Sequence, residues 1–212
     1  MGSENWSFDA EAASWDKNPG RVKVANDIAK AISDEKILTP DMDILEFGCG
    51  TGLLSVLLSP HVHSVTGVDS SRGMLDVLRR KIENENLTNI RAQYLDMEKG
   101  DILEGAYNLV VCSMTLHHVK ETEPLIKLFY KLTVPLGYVC IADLDPDDGQ
   151  FHGANDTVFH AGFDRAVMSR ILQKAGFEDI RIRTAATVVK PNSGGEVRSF
   201  GVFLIVGQKK AC

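Results

Sequence analysis

Apolar residues along this chain switch repeatedly between two periods, and that alternation predicts its architecture. Compact runs in which most residues are apolar stand at 43–47, 65–69, 90–95, 107–113 and 138–143. The run from Tyr107 to Ser113 is apolar almost throughout, as expected of a parallel strand covered on both faces. Helical spacing fills the intervals. Val22, Val24, Ala25, Ile28, Ala29 and Ile32 recur within 21–32, and a short apolar helix opens at Leu53. Met74, Leu75, Leu78 and Ile82 share one face of 71–84, behind Ser70 or Ser71 as N-cap. Further helices are predicted at 123–132 and at 163–175, the latter closed by Gly176. Pro135-Leu136-Gly137 predicts a turn into the fifth strand. Two β-rich runs, 179–189 and 200–208, end the chain, and the link Lys190-Pro191-Asn192-Ser193-Gly194-Gly195 makes them an antiparallel pair.

Five strands alternating with helices, then a hairpin, predict an α/β fold: a doubly wound, mostly parallel seven-stranded sheet with helices on both faces and an antiparallel terminal hairpin. The 212 residues fit one domain. The net charge of −6 provides no general basic field and argues against nucleic acid as a partner. Cys49, Cys112, Cys140 and Cys212 have no metal-ligand spacing and read as small apolar residues in a reducing cytoplasm. The polar, acidic start lacks the pattern of a secretory signal, and no apolar stretch is long enough for membrane insertion.

The most informative segment is Glu46-Phe47-Gly48-Cys49-Gly50-Thr51-Gly52, a strand end running through three alternating glycines into a helix. Glycine lets backbone N–H groups come close to a ligand that a side chain would hold away. Nineteen residues beyond Gly50 the second strand ends at Asp69, placed to accept hydrogen bonds from ribose hydroxyls. Two enzyme classes share that outline. A nicotinamide-dependent oxidoreductase wants its third glycine where Leu53 stands, and Gly52 falls one residue early for it.

With these elements in order, the chain resembles the class I S-adenosylmethionine-dependent methyltransferases over about residues 40–208, and most closely their small-molecule, quinone-biosynthesis-type branch. The resemblance implies S-adenosyl-L-methionine as cofactor, S-adenosyl-L-homocysteine as product and a small-molecule methyl acceptor. The cofactor-binding set it implies is Glu46, Gly48, Cys49, Gly50, Gly52, Asp69, Ser70, Met74, Asp96, Met97 and Ser113. Within that set Asp69 serves the ribose and Asp96, with the Met97 backbone, the adenine. Asp96 also reads as a plain turn cap and Met74 as core. The resemblance further implies that residues 1–40 form an N-terminal helical lid over a catalytic core at 41–212, with Trp6, Phe8, Trp15 and Arg21 as its distinctive residues. A methyltransferase-like domain that binds without catalysing is the remaining alternative.

Candidate catalytic groups gather late in the chain. His117, His118, His152 and His160, with Asp143 and Asp145 as further candidate bases, lie after the fourth and fifth strands, where ligands bind in open α/β sheets. Adjacent residues of an extended segment point opposite ways, so at most one of His117 and His118 is expected to face the pocket. No compact ligand spacing appears, and no metal site is expected.

Overall fold

The computed structural model describes residues 7–153, 155–192 and 194–211; Trp6, Ser193 and Cys212 lie outside the described residues. Its strands are β1 (Asp43–Phe47), β2 (Ser64–Asp69), β3 (Ile90–Tyr94), β4 (Tyr107–Ser113), β5 (Thr133–Leu144), β6 (Phe177–Pro191) and β7 (Val197–Lys209). They form one sheet in the order β3-β2-β1-β4-β5-β7-β6. The first five are parallel, and β7 runs antiparallel between β5 and β6. The predicted sheet and hairpin are both present.

Alternation along each strand divides the core between two faces. Ile44, Val65, Leu109 and Val111 point to one face, where they meet α2 (Pro19–Asp34), α3 (Leu53–Leu58) and α4 (Arg72–Asn84). Leu45, Val68, Val110 and Cys112 point to the other, beneath α5 (Thr122–Leu132) and α6 (Arg165–Ala175). A one-turn α1 (Phe8–Glu11) precedes these; Asn18 caps α2 at the backbone N–H groups of Gly20 and Arg21, and Ser71 caps α4 at Met74. Gly176, in the left-handed conformation at φ 113°, ends α6.

Two expectations change. Pro135-Leu136-Gly137 is a bulge inside β5, with Leu136 at φ 65° and a register shift opposite Tyr107 and Leu109. A Cβ on Gly137 would meet the Asn108 carbonyl at 2.8 Å, so the strands close only around glycine there. Within the segment expected as a lid, α2 is instead a sheet-flanking helix. Its Ile28 and Ile32 are fully buried, and Arg183 of β6 donates to its Ala31 carbonyl.

The chain leaves β1 outward to β2 and β3, then returns to β4 on the opposite side of β1. Strand order therefore reverses between β1 and β4. The loops leaving those two strands flank the crevice in which open α/β sheets bind ligands.

Candidate functional site

On the β1 side, Gly48, Gly50 and Gly52 all adopt positive φ, at 71°, 54° and 76°. A Cβ on Gly48 would lie 2.2 Å from the Thr115 side chain, so this glycine lets the two loops touch. A Cβ on Gly50 would meet nothing within 4 Å, so that side of this half-buried residue faces open space. Asp69 holds this loop from the end of β2, accepting from the Gly50 N–H (2.8 Å) and the Ser71 N–H (2.8 Å). Burial raises the Asp69 carboxyl pKa while those donors oppose the rise. Glu46 lies deeper, accepting from the Ser55 hydroxyl, and burial pushes its carboxyl up to about 8. At neutral pH it is mostly a neutral brace beneath the loop.

On the β4 side the chain turns sharply at Met114, a non-glycine residue at φ 51°. That turn brings the Thr115 hydroxyl to the carbonyls of Gly48 (3.2 Å) and Ser113 (2.9 Å). Leu116–His118 then form one 3-10 turn rather than an extended run. Both histidine rings consequently lie on the same side, 4.2 Å apart between centroids, where alternation in a strand would have separated them.

His117 and Asp143 are both buried, at 1% and 0% exposure. The His117 Nδ1 lies 2.7 Å from a carboxylate oxygen of Asp143, which also accepts from the Leu144 N–H (2.7 Å). The His118 Nδ1 donates to the Thr157 carbonyl at 2.8 Å. His152 arrives from the loop after β5. The Asp147 carboxylate shapes that loop, accepting from Gly149 and Phe151, while Phe151 packs edge-on against Phe200. The His152 ring centroid is 4.7 Å from that of His117 and 5.6 Å from that of His118. Burial, and then proximity to His117, hold His118 down at about 4; burial and both neighbours hold His152 at about 3. These two imidazoles are neutral at pH 7.

The remaining candidates separate. His160 donates its Nε2–H to the Val119 carbonyl (2.9 Å) and stacks on Phe163, anchoring the loop outside the cluster. Asp145 is held by a two-pronged Arg165 contact at 2.6 and 2.7 Å, beside an outer cleft of about 190 Å³ away from the glycine loop. Asp96 caps the short turn after β3 and pairs with Lys99 at 2.7 Å, next to an exposed Met97. Met74 is buried, Ser70 exposed, and the Cys49 sulfur lies where a Gly67 side chain would be.

Residues not singled out from sequence also build the site. Asp16 accepts from the Thr51 hydroxyl (2.6 Å) and pairs with Lys81 (2.7 Å), whose ammonium also reaches the Thr51 carbonyl (2.8 Å). Asp9 accepts from Ser71 and from the Gly73 N–H. These acids join residues already picked out in the N-terminal segment from sequence: Phe8 meets the His118 ring edge-on at 5.1 Å, and Arg21 stacks 3.6 Å above Trp15. Residues 8–17 thus bridge the glycine loop and the histidines. Nothing in the local sequence around Asp9 or Asp16 foretells these partners, which are distant in the chain.

The strand order, with its antiparallel β7, gives a Rossmann-like fold of the kind seen in solved methyltransferase structures. Residues 44–137 match the family model described as a methyltransferase domain. Over that segment the chain is similar to methyltransferases. It is 32% identical over 153 residues to an uncharacterized methyltransferase of Schizosaccharomyces pombe, covering 62% of this chain and 54% of that protein. It is 31% identical over 133 residues to the ubiquinone biosynthesis O-methyltransferase of Coxiella burnetii, covering 61% and 56%. The chain therefore spans a little over half the length of these curated relatives. The structure of Haemonchus contortus phosphoethanolamine N-methyltransferase 2 with S-adenosyl-L-methionine superposes with a TM-score of 0.67. That match covers 99% of this chain and 61% of that one at 14% identity, a likeness of fold.

Proposed function

We propose that this chain transfers a methyl group from S-adenosyl-L-methionine to a hydroxylated small molecule, releasing S-adenosyl-L-homocysteine. The carrying observation is the open backbone at Gly50, clamped by Asp69 directly across the switch point from the histidine cluster. The residues fit the cofactor: Gly48, Gly50 and Gly52 would admit its amino-acid part, and Asp69 would accept from its ribose hydroxyls. Asp96 and Met97 would meet its adenine edge once Lys99 gives way. The cofactor supplies an already activated methyl, so the reaction is an in-line displacement in which a C–O bond forms as the C–S bond breaks.

The protein's part is orientation and water exclusion, which can contribute several kcal/mol. Residues 8–17 act as the lid, tied down at Asp9 and Asp16. The histidine cluster forms the acceptor side, where an unprotonated imidazole nitrogen accepts a hydrogen bond from the acceptor hydroxyl and takes its proton as the C–O bond forms. The O-methyltransferase relatives support an oxygen acceptor. Buried free thiols at Cys49, Cys112 and Cys140 suit the cytoplasm. Among the described residues no helix is long and apolar enough to cross a membrane.

Calorimetric titration with S-adenosyl-L-homocysteine and, separately, with NADH tests the donor half. Binding of the former alone is expected, and preference for NADH would overturn the reading. Mass-spectrometric transfer from S-adenosyl-L-methionine to a panel of phenolic and catecholic acceptors then separates an enzyme from a binding domain. Cofactor binding without transfer to any acceptor would favour the latter.

A further inference from the structure

We propose that His117, His118 and His152 form a binding site for one zinc-class divalent cation. Each offers one imidazole nitrogen, and the three nitrogens lie within 4.8 Å of one another. The second nitrogens are already committed in the manner of metal-bound histidines. The Nδ1 of His117 faces the Asp143 carboxylate (2.7 Å), and the Nδ1 of His118 donates to the Thr157 carbonyl (2.8 Å). A carboxylate or carbonyl partner on one nitrogen fixes the ring and raises the donor strength of the other. Nε2 is left as the ligand atom on both rings. The Nε2 of His152 is buried and has no hydrogen-bond partner. An orphaned buried nitrogen aimed among imidazoles is unfavourable unless something occupies the position it faces.

Three histidines with one open position are a donor set suited to zinc and similar borderline cations; calcium or magnesium would require oxygen ligands. Asp143 supplies one compensating negative charge behind His117. Zinc–nitrogen bonds of about 2.0–2.1 Å put tetrahedral ligand nitrogens about 3.4 Å apart. The cluster therefore draws inward on binding. The Gly149 and Gly153 turns either side of His152, at φ 75° and 66°, allow its loop to make that movement. A fourth ligand would enter from the glycine-loop side, which suits an acceptor oxygen. The metal site itself rests on the histidines and not on the methyl-transfer reading.

The test uses the untagged full chain, stripped with chelator and titrated with cobalt chloride while the visible d–d absorption is followed. One equivalent should bind with an intense tetrahedral-type band that zinc chloride abolishes. His152→Ala removes a ligand and should weaken cobalt binding by more than about 100-fold, beyond the roughly 10–100-fold that loss of an outer-shell partner costs. His152→Cys should bind and add a sulfur-to-cobalt charge-transfer band, a signature that mere structural support cannot produce. His63→Ala, at an exposed histidine paired with Asp43, should leave the titration unchanged. Absence of a one-equivalent band, or full binding retained by His152→Ala, would overturn the site. Titration of the same stripped protein with S-adenosyl-L-homocysteine reads the donor half separately, so the two proposals fail independently.

Discussion

The two sides of the switch point are built from different materials. On the β1 side the crevice is bordered by a glycine loop whose backbone N–H groups are held by Val68 and Asp69, with acids from β1 and β2 behind it. On the β4 side the groups are imidazoles from two segments far apart in sequence, held by Asp143, a carbonyl and a phenylalanine. A backbone site must match a shape common to every bound donor. A side-chain site can change with the acceptor while the sheet stays the same. The comparison teaches where variation is tolerated: the first half presents one shape, the second one chemistry.

Acid and base should act oppositely on the two halves of the metal-free protein. Glu46, raised from 4.5 to about 8, binds its proton more tightly in the folded state. Its contribution is full below pH 4.5 and is lost as pH rises to about 8, on the order of 5 kcal/mol. Chemical denaturation across that range should show the fall, and Glu46→Gln should flatten it. His118 and His152, lowered from 6.5 to about 4 and about 3, have the other sign. Their contribution is present above pH 6.5 and is lost on acidification, so amide protection around 147–160 should weaken below that point. Weakening at alkaline pH instead would break the comparison.

Next in size is Asp69→Asn, which replaces two charge-assisted bonds and the proposed ribose acceptor. S-adenosyl-L-homocysteine affinity should fall by about 100-fold, since each such bond contributes roughly 1.5–3 kcal/mol. Cobalt binding at the histidines should not move. Gly50→Ala should destabilise the protein by about 1–2 kcal/mol through its left-handed conformation alone, because no atom lies in the way of the new methyl. A much larger loss of stability would mean that the loop is packed rather than open. Smallest is Asp16→Asn, which loosens the contact with Lys81 and Thr51. It should cost about 1 kcal/mol or less and raise hydrogen exchange in residues 8–18. If exchange there already matches that of an unstructured segment, the bridge between the halves is not a lid.

Legibility followed the same division. Glycine spacing, the acid at the end of β2 and the strand periods depend on neighbouring residues, so sequence carries them. The Asp96 cap was also readable as local turn chemistry, and its pairing with Lys99 agrees with that reading. His117 and His118 were readable as candidates, but the expectation that they diverge assumed an extended segment. The turn at Met114 and the 3-10 turn after it reversed that geometry. The absence of metal-ligand spacing likewise said nothing about His152, because a loop can close a cluster at any separation.

The sequence by itself determined the α/β order and the glycine loop at the end of the first strand. Each follows from hydrophobic period or from the conformations that glycine alone reaches at low strain. Only the tertiary structure decided which histidines meet, that Asp143 stands behind one of them, and that Asp9 and Asp16 fasten the N-terminal segment across both loops. Those contacts join residues whose neighbours in the chain carry no trace of the partner, and only the packing of the sheet brings them together.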